Sequence, residues 1–263
     1  MSSSLDKTAK RMLTGKTPFF ACTEDPRFSF GLYVPKSHDF DGPRLPLLVV
    51  VHGTRRQTGG YINQLQRFSE QHRIVIFCPL FPAGIIEPFD VHNYKGLLYK
   101  DIRFDLVLLA MLKQAAETWK IDISRFFLHG FSGGGQFAHR FLYIHPTRLR
   151  GVSIGAPGSI TRPTKTHVWP ADLGDAKEVF AIEPDFALIA KVEVQVLVGE
   201  KDTDTSMLSR DDITGATRVD RAKYLHGALV ERGVSATLSV VPGVAHEGIK
   251  CLSTMERWLS DRI

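Results

Sequence analysis

The chain has 263 residues, 43% of them apolar, enough for one large domain with a sizeable core. Its 33 basic and 28 acidic residues leave a net charge of +5. The basic residues are scattered, which argues against a nucleic-acid partner. The three cysteines, Cys22, Cys78 and Cys251, are far apart, odd in number and without metal spacing, so a reducing compartment with buried thiols is expected.

Residues 1–25 read as a polar arm with no apolar stretch of signal-peptide length, and no run in the chain is long enough to span a bilayer. The expectation is a cytoplasmic protein without a membrane partner. Phe28, Phe30 and Leu32 then alternate with Ser29, Gly31 and Tyr33, the period of a half-exposed strand that ends at Pro35. Leu47-Leu48-Val49-Val50-Val51 is a continuous apolar run, as in a parallel strand buried on both faces, and it ends in His52-Gly53-Thr54. A helix follows with Tyr61, Leu65 and Phe68 on one side, then a second buried strand from Ile74 to Phe77. Residues 80–98 form a long connection containing Phe81, Phe89 and Tyr94, too apolar for disorder. From Asp101 to Trp119 the pattern is that of an amphipathic helix, with Phe104, Leu108, Leu112 and Ala115 on one face.

A short apolar run, Phe126-Phe127-Leu128, leads into Gly130-Phe131-Ser132-Gly133-Gly134 and at once into a helical pattern with Phe137, Phe141 and Ile144, ended by Pro146. Val152 to Ile154 is a short strand. Residues 156–190, which include Trp169, read as an inserted cap. Val192 to Val198 is another strand, closing on Gly199-Glu200-Lys201-Asp202. A helix from Arg218 to Arg232, a strand from Thr237 to Val241, the loop Pro242 to His246 and a last helix complete the chain. Strands alternating with helices predict an α/β fold, with a mostly parallel central sheet and helices on both faces, formed as one domain over residues 26–263 with cap or lid insertions at 80–98 and 156–190. In such a sheet the loops at the carboxyl ends of the strands gather on one edge, where ligands bind.

Those loops carry the residues of chemical interest. Ser132 lies in a G-x-S-x-G turn between a strand and a helix, a context that lifts the hydroxyl clear of the sheet. A serine hydroxyl is a poor nucleophile and needs a base, which in turn needs an orienting partner. His246, in the loop after the last strand, has the reach to be that base. Asp202 is the expected acid, with Asp204 and Glu200 as rivals in the same turn. Two backbone N–H groups are candidates for an oxyanion hole, that of Gly133 after the nucleophile and that of Thr54, which Gly53 lets approach closely. His52 is expected to brace that loop. Arg55, Phe81, Phe89, Tyr94 and Trp169 are candidate substrate-binding residues, and Arg56 shares the candidacy of Arg55 for an anionic group. No metal-ligand spacing and no dinucleotide loop is seen, so no metal or cofactor is expected.

His52-Gly53, Gly130-Phe131-Ser132-Gly133-Gly134, the turn from Gly199 to Asp202 and His246 stand in the order found in α/β-hydrolases, and from about Phe28 onward the chain resembles that superfamily. Within it, the Val-Val-Val-His-Gly strand end and Lys120-Ile121-Asp122 ahead of the serine strand are similar to the intracellular relatives of polyhydroxybutyrate depolymerases and feruloyl esterases. The resemblance implies a serine hydrolase cleaving carboxylic esters of small or medium size through an acyl-enzyme on Ser132. Three enzyme alternatives use the same triad: an acyltransferase, a thioesterase and a peptidase. A ligand-binding receptor on the same fold is the alternative of another class.

Overall fold

The computed structural model describes residues 7–209 and 212–263. Its frame is a nine-stranded sheet. Three strands come early: β1 (Gly15–Lys16), β2 (Phe20–Ala21) and β3 (Ser29–Val34). Then follow β4 (Leu47–Val51), β5 (Val75–Leu80) and, outside the sheet, a hairpin of β6 (Leu98–Tyr99) and β7 (Ile102–Arg103). The remaining strands are β8 (Phe126–Phe131), β9 (Leu149–Gly155), β10 (Glu193–Gly199) and β11 (Ala236–Val241). The spatial order is β1-β3-β5-β4-β8-β9-β10-β11, with β2 also on β3. From β5 to β11 all neighbours are parallel, while β1, β2 and β5 pair antiparallel to β3. Every residue of β4 and β8 is buried, so both faces of the sheet centre are covered and the valine-rich β4 needs no polar alternation.

Helices α1 (Lys7–Met12), α2 (Thr58–Gln64), α3 (Gln66–His72), α4 (Phe104–Thr118) and α5 (Gly133–Ile144) are followed by two short ones, α6 (Ala176–Phe180) and α7 (Phe186–Ile189), and by the longer α8 (Arg218–Glu231) and α9 (Gly248–Ser260). Helix α5 packs against both β8 and β9 and is buried along almost its whole length, so the element that follows Ser132 is among the most enclosed in the molecule. Thr217 opens α8 with a capping box, its hydroxyl accepting from the Asp220 N–H while Asp220 accepts from the Thr217 N–H.

The structure differs from the sequence expectation in the N-terminal arm, at two helices and in β3, where the strand expected to be half-exposed is buried from Phe30 to Val34. Residues 1–6 of the expected arm lie outside the described residues, but much of the rest is not an arm: β1 and β2 are part of the sheet. Thr17 and Leu32 exchange hydrogen bonds, Thr17 N to Leu32 O at 3.0 Å and Leu32 N to Thr17 Oγ1 at 3.0 Å. Phe20 lies over Phe30 and edge-on to Trp119. The helix expected from Asp101 begins at Phe104, because Ile102 and Arg103 first pair with Leu98 and Tyr99. The helix carrying Tyr61 and Phe68 is two helices, separated at Leu65.

Candidate active site

The carboxyl ends of β4, β8, β10 and β11 bring four loops together. At the end of β8 the chain turns through Ser132, whose φ of 59° and ψ of −114° lie outside the ordinary regions for a residue with a side chain. The turn is possible because its neighbours lack Cβ atoms. A Cβ on Gly130 would run into the Gly134 carbonyl, and one on Gly134 into the Val51 carbonyl. The Ser132 N–H donates to Gly155 O at 2.8 Å, which ties the strained residue to β9.

His246 reaches this turn from the loop after β11. Its Nε2 is 2.9 Å from Ser132 Oγ and its Nδ1 is 2.6 Å from Asp202 Oδ2. A carboxylate only accepts, so Nδ1 carries the proton and Nε2 receives the serine hydroxyl as an acceptor. The Asp202 side chain is wholly buried and that of His246 is 30% exposed. The Phe131 ring lies 5.0 Å from the imidazole and supports one side of it. The two loops that hold the acid and the imidazole are bonded to each other. Lys201 N donates to Val244 O at 2.8 Å, and Gly243 N donates to Glu200 Oε2 at 2.8 Å. A side chain at Gly199 would strike the carbonyls of Val244 and Ala245, so the glycine permits this close approach.

Of the three acids in the turn, Asp202 meets the histidine. Asp204 accepts from Ser206, and Glu200 ties down Gly243. The Thr54 amide nitrogen lies 3.3 Å from where a Gly133 Cβ would stand, so the two residues expected to supply oxyanion donors are neighbours. The first turn of a helix leaves N–H groups without intrahelical acceptors, and Gly133 is the first residue of α5. His52 is fully buried and burial pushes its imidazole down to about 3. Kept neutral, it has Nδ1 2.8 Å from Gly53 O, and Nε2 accepts from Phe81 N at 3.0 Å, bracing the Thr54 loop.

The aromatic candidates separate. Phe81 and Tyr94 are fully buried, packed with Phe137 and His52, and the Tyr94 hydroxyl donates to His52 O at 2.8 Å. Both side chains belong to the packed core, and the Tyr94 hydroxyl is the atom nearest to where a Gly133 Cβ would stand, at 2.5 Å. Phe89 is 93% exposed. Trp169 is half-buried, and its indole N–H donates to Gly96 O at 2.7 Å, joining the 156–190 excursion to the 80–98 connection. Arg55 is exposed and makes no hydrogen bond or ion pair among the described residues. Arg56 is turned inward instead, donating to the carbonyls of Thr54, Phe81 and Val91 and to Asn93 Oδ1. It is a brace, and its donors are not free for a substrate.

Two residues not singled out in the sequence stand at the same place. Arg140, on α5 and buried, donates to Lys95 O at 2.8 Å, to Thr161 Oγ1 at 2.8 Å and to Ser159 Oγ at 3.0 Å, clamping both long excursions to the helix after Ser132. Lys95, 7% exposed, passes over Gly133, its Cε 2.8 Å from where a Cβ there would stand. A lone lysine or arginine has no motif around it, so nothing in the sequence marks either. Two shallow cavities of about 260 and 380 Å³ flank α4, share Glu24, Leu106 and Ala110, and include no residue of the Ser132–His246–Asp202 row. No helix among the described residues is long and apolar enough to cross a membrane.

No protein-family model and no curated protein matches the chain. Solved structures match it in shape. A poly(3-hydroxybutyrate) depolymerase from Bordetella parapertussis is 23% identical, with a TM-score of 0.76 over 97% of this chain and 94% of that one. Poly(aspartic acid) hydrolase-1 from Sphingomonas sp. KT-1 is 19% identical, with a TM-score of 0.75 over 93% of this chain and 98% of that one. A ferulic acid esterase is 14% identical, with a TM-score of 0.66 over 95% and 99%. At these identities the likeness concerns architecture, and together with the strand order it defines the fold: the chain adopts the α/β-hydrolase fold.

Proposed function

We propose that this protein is a serine hydrolase that cleaves carboxylic esters of small or medium size, with Ser132 as nucleophile, His246 as general base and then acid, and Asp202 as the group that orients the imidazole. The observation that carries the reading is the unbroken row from Asp202 Oδ2 to His246 Nδ1 at 2.6 Å and from Nε2 to Ser132 Oγ at 2.9 Å, mounted on a strained turn. The structures similar in shape, a poly(3-hydroxybutyrate) depolymerase, a poly(aspartic acid) hydrolase and a ferulic acid esterase, support hydrolysis as the reaction class.

In this reading Ser132 Oγ attacks the ester carbonyl carbon while its proton passes to His246 Nε2. The carbonyl oxygen becomes an oxyanion held by the N–H groups of Thr54 and Gly133, each such donor being worth about 3 kcal/mol to the transition state. The C–O bond to the leaving alcohol then breaks, and the alcohol departs with the proton from Nε2. Water repeats the sequence on the acyl-enzyme, giving the acid and regenerating the serine. Asp202 keeps Nδ1 protonated throughout, so Nε2 always faces the reacting oxygen.

The test is covalent labelling by a fluorophosphonate together with turnover of a neutral para-nitrophenyl ester. Wild type is expected to do both and a folded Ser132→Ala variant neither. Labelling of the alanine variant, or turnover at the wild-type rate, would overturn the assignment.

A further inference from the structure

Four cations crowd the enclosed side of the site: Arg56 and Arg140 are used up by the fold, and Arg218 is paired with an acid although its buried Nε has no partner among the described residues. The Arg56 guanidinium is spent on three carbonyls and an amide oxygen, and Arg140 on a carbonyl and two hydroxyls. Arg218 Nη1 reaches Asp204 O at 3.1 Å and Asp202 Oδ1 at 3.5 Å. Lys95 differs. An ammonium has three N–H donors, and among the described residues the one partner of Lys95 Nζ is His92 Nδ1 at 2.6 Å. No carboxylate lies within ion-pair distance of it among the described residues. Burying a cation without a carboxylate is costly, and here the cost falls directly beside the Gly133 amide, where a lysine with no further role gains nothing.

Resting on the esterase reading, we infer that the site selects esters carrying a second, ionised carboxylate, and that Lys95 receives that carboxylate next to the oxyanion amides. The carboxylate supplies the charge the protein withholds, and the two unused N–H groups of Lys95 supply charge-assisted hydrogen bonds to it. Burial, with Arg56, Arg140 and Arg218 nearby, lowers the Lys95 ammonium to about 8, while Asp90 opposes the shift. The proton is therefore present at neutral pH and lost just above it. His92 is held below the ordinary imidazole value by burial and by the Lys95 charge, so it stays neutral in that window and accepts from Lys95. The Arg140 guanidinium, lowered to about 10 by burial, stays charged there.

The experiment uses para-nitrophenyl half-esters of glutarate, adipate and pimelate, each paired with its methyl ester, with spontaneous hydrolysis subtracted. The quantity read is the ratio of kcat/KM for the acid to kcat/KM for its methyl ester, in which the pH dependence of the chemical step common to both substrates cancels. Wild type is expected to favour the acid of at least one chain length. The preference should fall as pH rises from 7 to 9, through the loss of the Lys95 proton, and should largely persist in added salt, because a buried pair is poorly screened. Lys95→Met is expected to lower the ratio by about ten- to a hundredfold, the range of a hydrogen bond to a charged group. The pH profile of wild type tests the same point should that variant not fold. A ratio near one at every chain length, a ratio flat from pH 7 to 9, or a folded Lys95→Met that keeps the preference would overturn the inference. Each of these leaves the esterase reading standing if Ser132 is labelled and the methyl esters are turned over. Absence of both labelling and turnover would instead remove the reading beneath it.

Discussion

Two groups of enclosed charge in the molecule are built differently. In the 156–190 excursion the Asp172 carboxylate is fully enclosed and saturated. Arg162 Nε and Thr164 Oγ1 donate to it, and so does the His167 backbone N–H. Burial raises the Asp172 carboxyl, but hydrogen bonds from His167, Thr164 and Arg162 win and hold it below the usual carboxylate range. Beside Ser132, Lys95 and Arg140 are buried and Arg56 half-buried with no ion-paired carboxylate among the described residues, and the enclosed acid, Asp202, is occupied by His246 and reached by Arg218. In the excursion the buried acid is paired with a cation; next to the row on the β8 turn Arg218 reaches Asp202, but Lys95 and Arg140 have no ion-paired carboxylate among the described residues. That asymmetry is what a stability-optimised interior would remove and what a site for an anion would keep.

The comparison breaks most sharply at Asp202. Asp202→Asn is expected to lower kcat by about four decades, the size of the equivalent change in the trypsin-type triad, because an amide can no longer hold the imidazole with its proton on Nδ1. Asp204→Asn, whose carboxylate serves Ser206, should stay within about twofold. A larger effect at Asp204 would mean that the row in the structure is not the one that works.

The next effect is on stability and has opposite signs in the two groups. Asp172→Ala strands Arg162 without its acid and should cost about 3 kcal/mol, seen as a lower denaturant midpoint. Lys95→Met replaces an unpaired buried cation with an apolar chain of similar length and should leave the protein unchanged or more stable by about 1 kcal/mol. The linkage has a direction that can be checked on wild type. The Lys95 pKa is depressed in the folded state, to about 8 against an ordinary value of 10.5, so the unfolded chain binds more protons between those values. The Lys95 contribution therefore makes stability rise with pH from about 8 to 10.5, and Lys95→Met should flatten that rise. If Lys95→Met proves as damaging as Asp172→Ala, the two groups are not different in kind.

How far the sequence told this story follows from the range of the interactions involved. The β4 run and the Gly130–Gly134 turn were readable because local pattern dictates them: five consecutive apolar residues need cover on both faces, and the glycines are where a Cβ would strike backbone. The identity of the acid was readable only as a choice among Glu200, Asp202 and Asp204. What separates them is tertiary, the Gly199–Val244 contact that turns Asp202 inward. Residues 15–21 looked like an arm since a two-residue strand has no periodicity; it exists only because β3 is there to pair with it. For Phe81 and Tyr94 the sequence leaves pocket lining and core packing open, because an aromatic in a long loop reads the same whether it faces a ligand or is packed in the interior. Lys95 was invisible for the converse reason: a single lysine carries no pattern, and its meaning comes from having no carboxylate within ion-pair distance among the described residues.

The smallest effect expected is at Arg55, and it sharpens the comparison by setting an exposed cation against a buried one. Arg55 adjoins Thr54, so on sequence it is as close to the oxyanion loop as a basic residue can be, yet it is exposed and unengaged among the described residues. Its charge is solvated before and after an anion arrives, and the gain from pairing is that of a surface ion pair, about 0 to 1 kcal/mol. Lys95 is already desolvated, so an anion that reaches it recovers a cost the fold has left standing. Arg55→Ala should therefore change the acid-to-methyl-ester ratio by about twofold or less, and by nothing measurable once salt reduces the screening length to a few ångströms. Lys95→Met should alter the same ratio far more and keep much of its effect in salt, because a buried partner is poorly screened. If the two substitutions trade places, with Arg55→Ala removing the preference and Lys95→Met leaving it intact, then the anion is gathered at the rim, and burial beside Gly133 has no part in choosing the substrate.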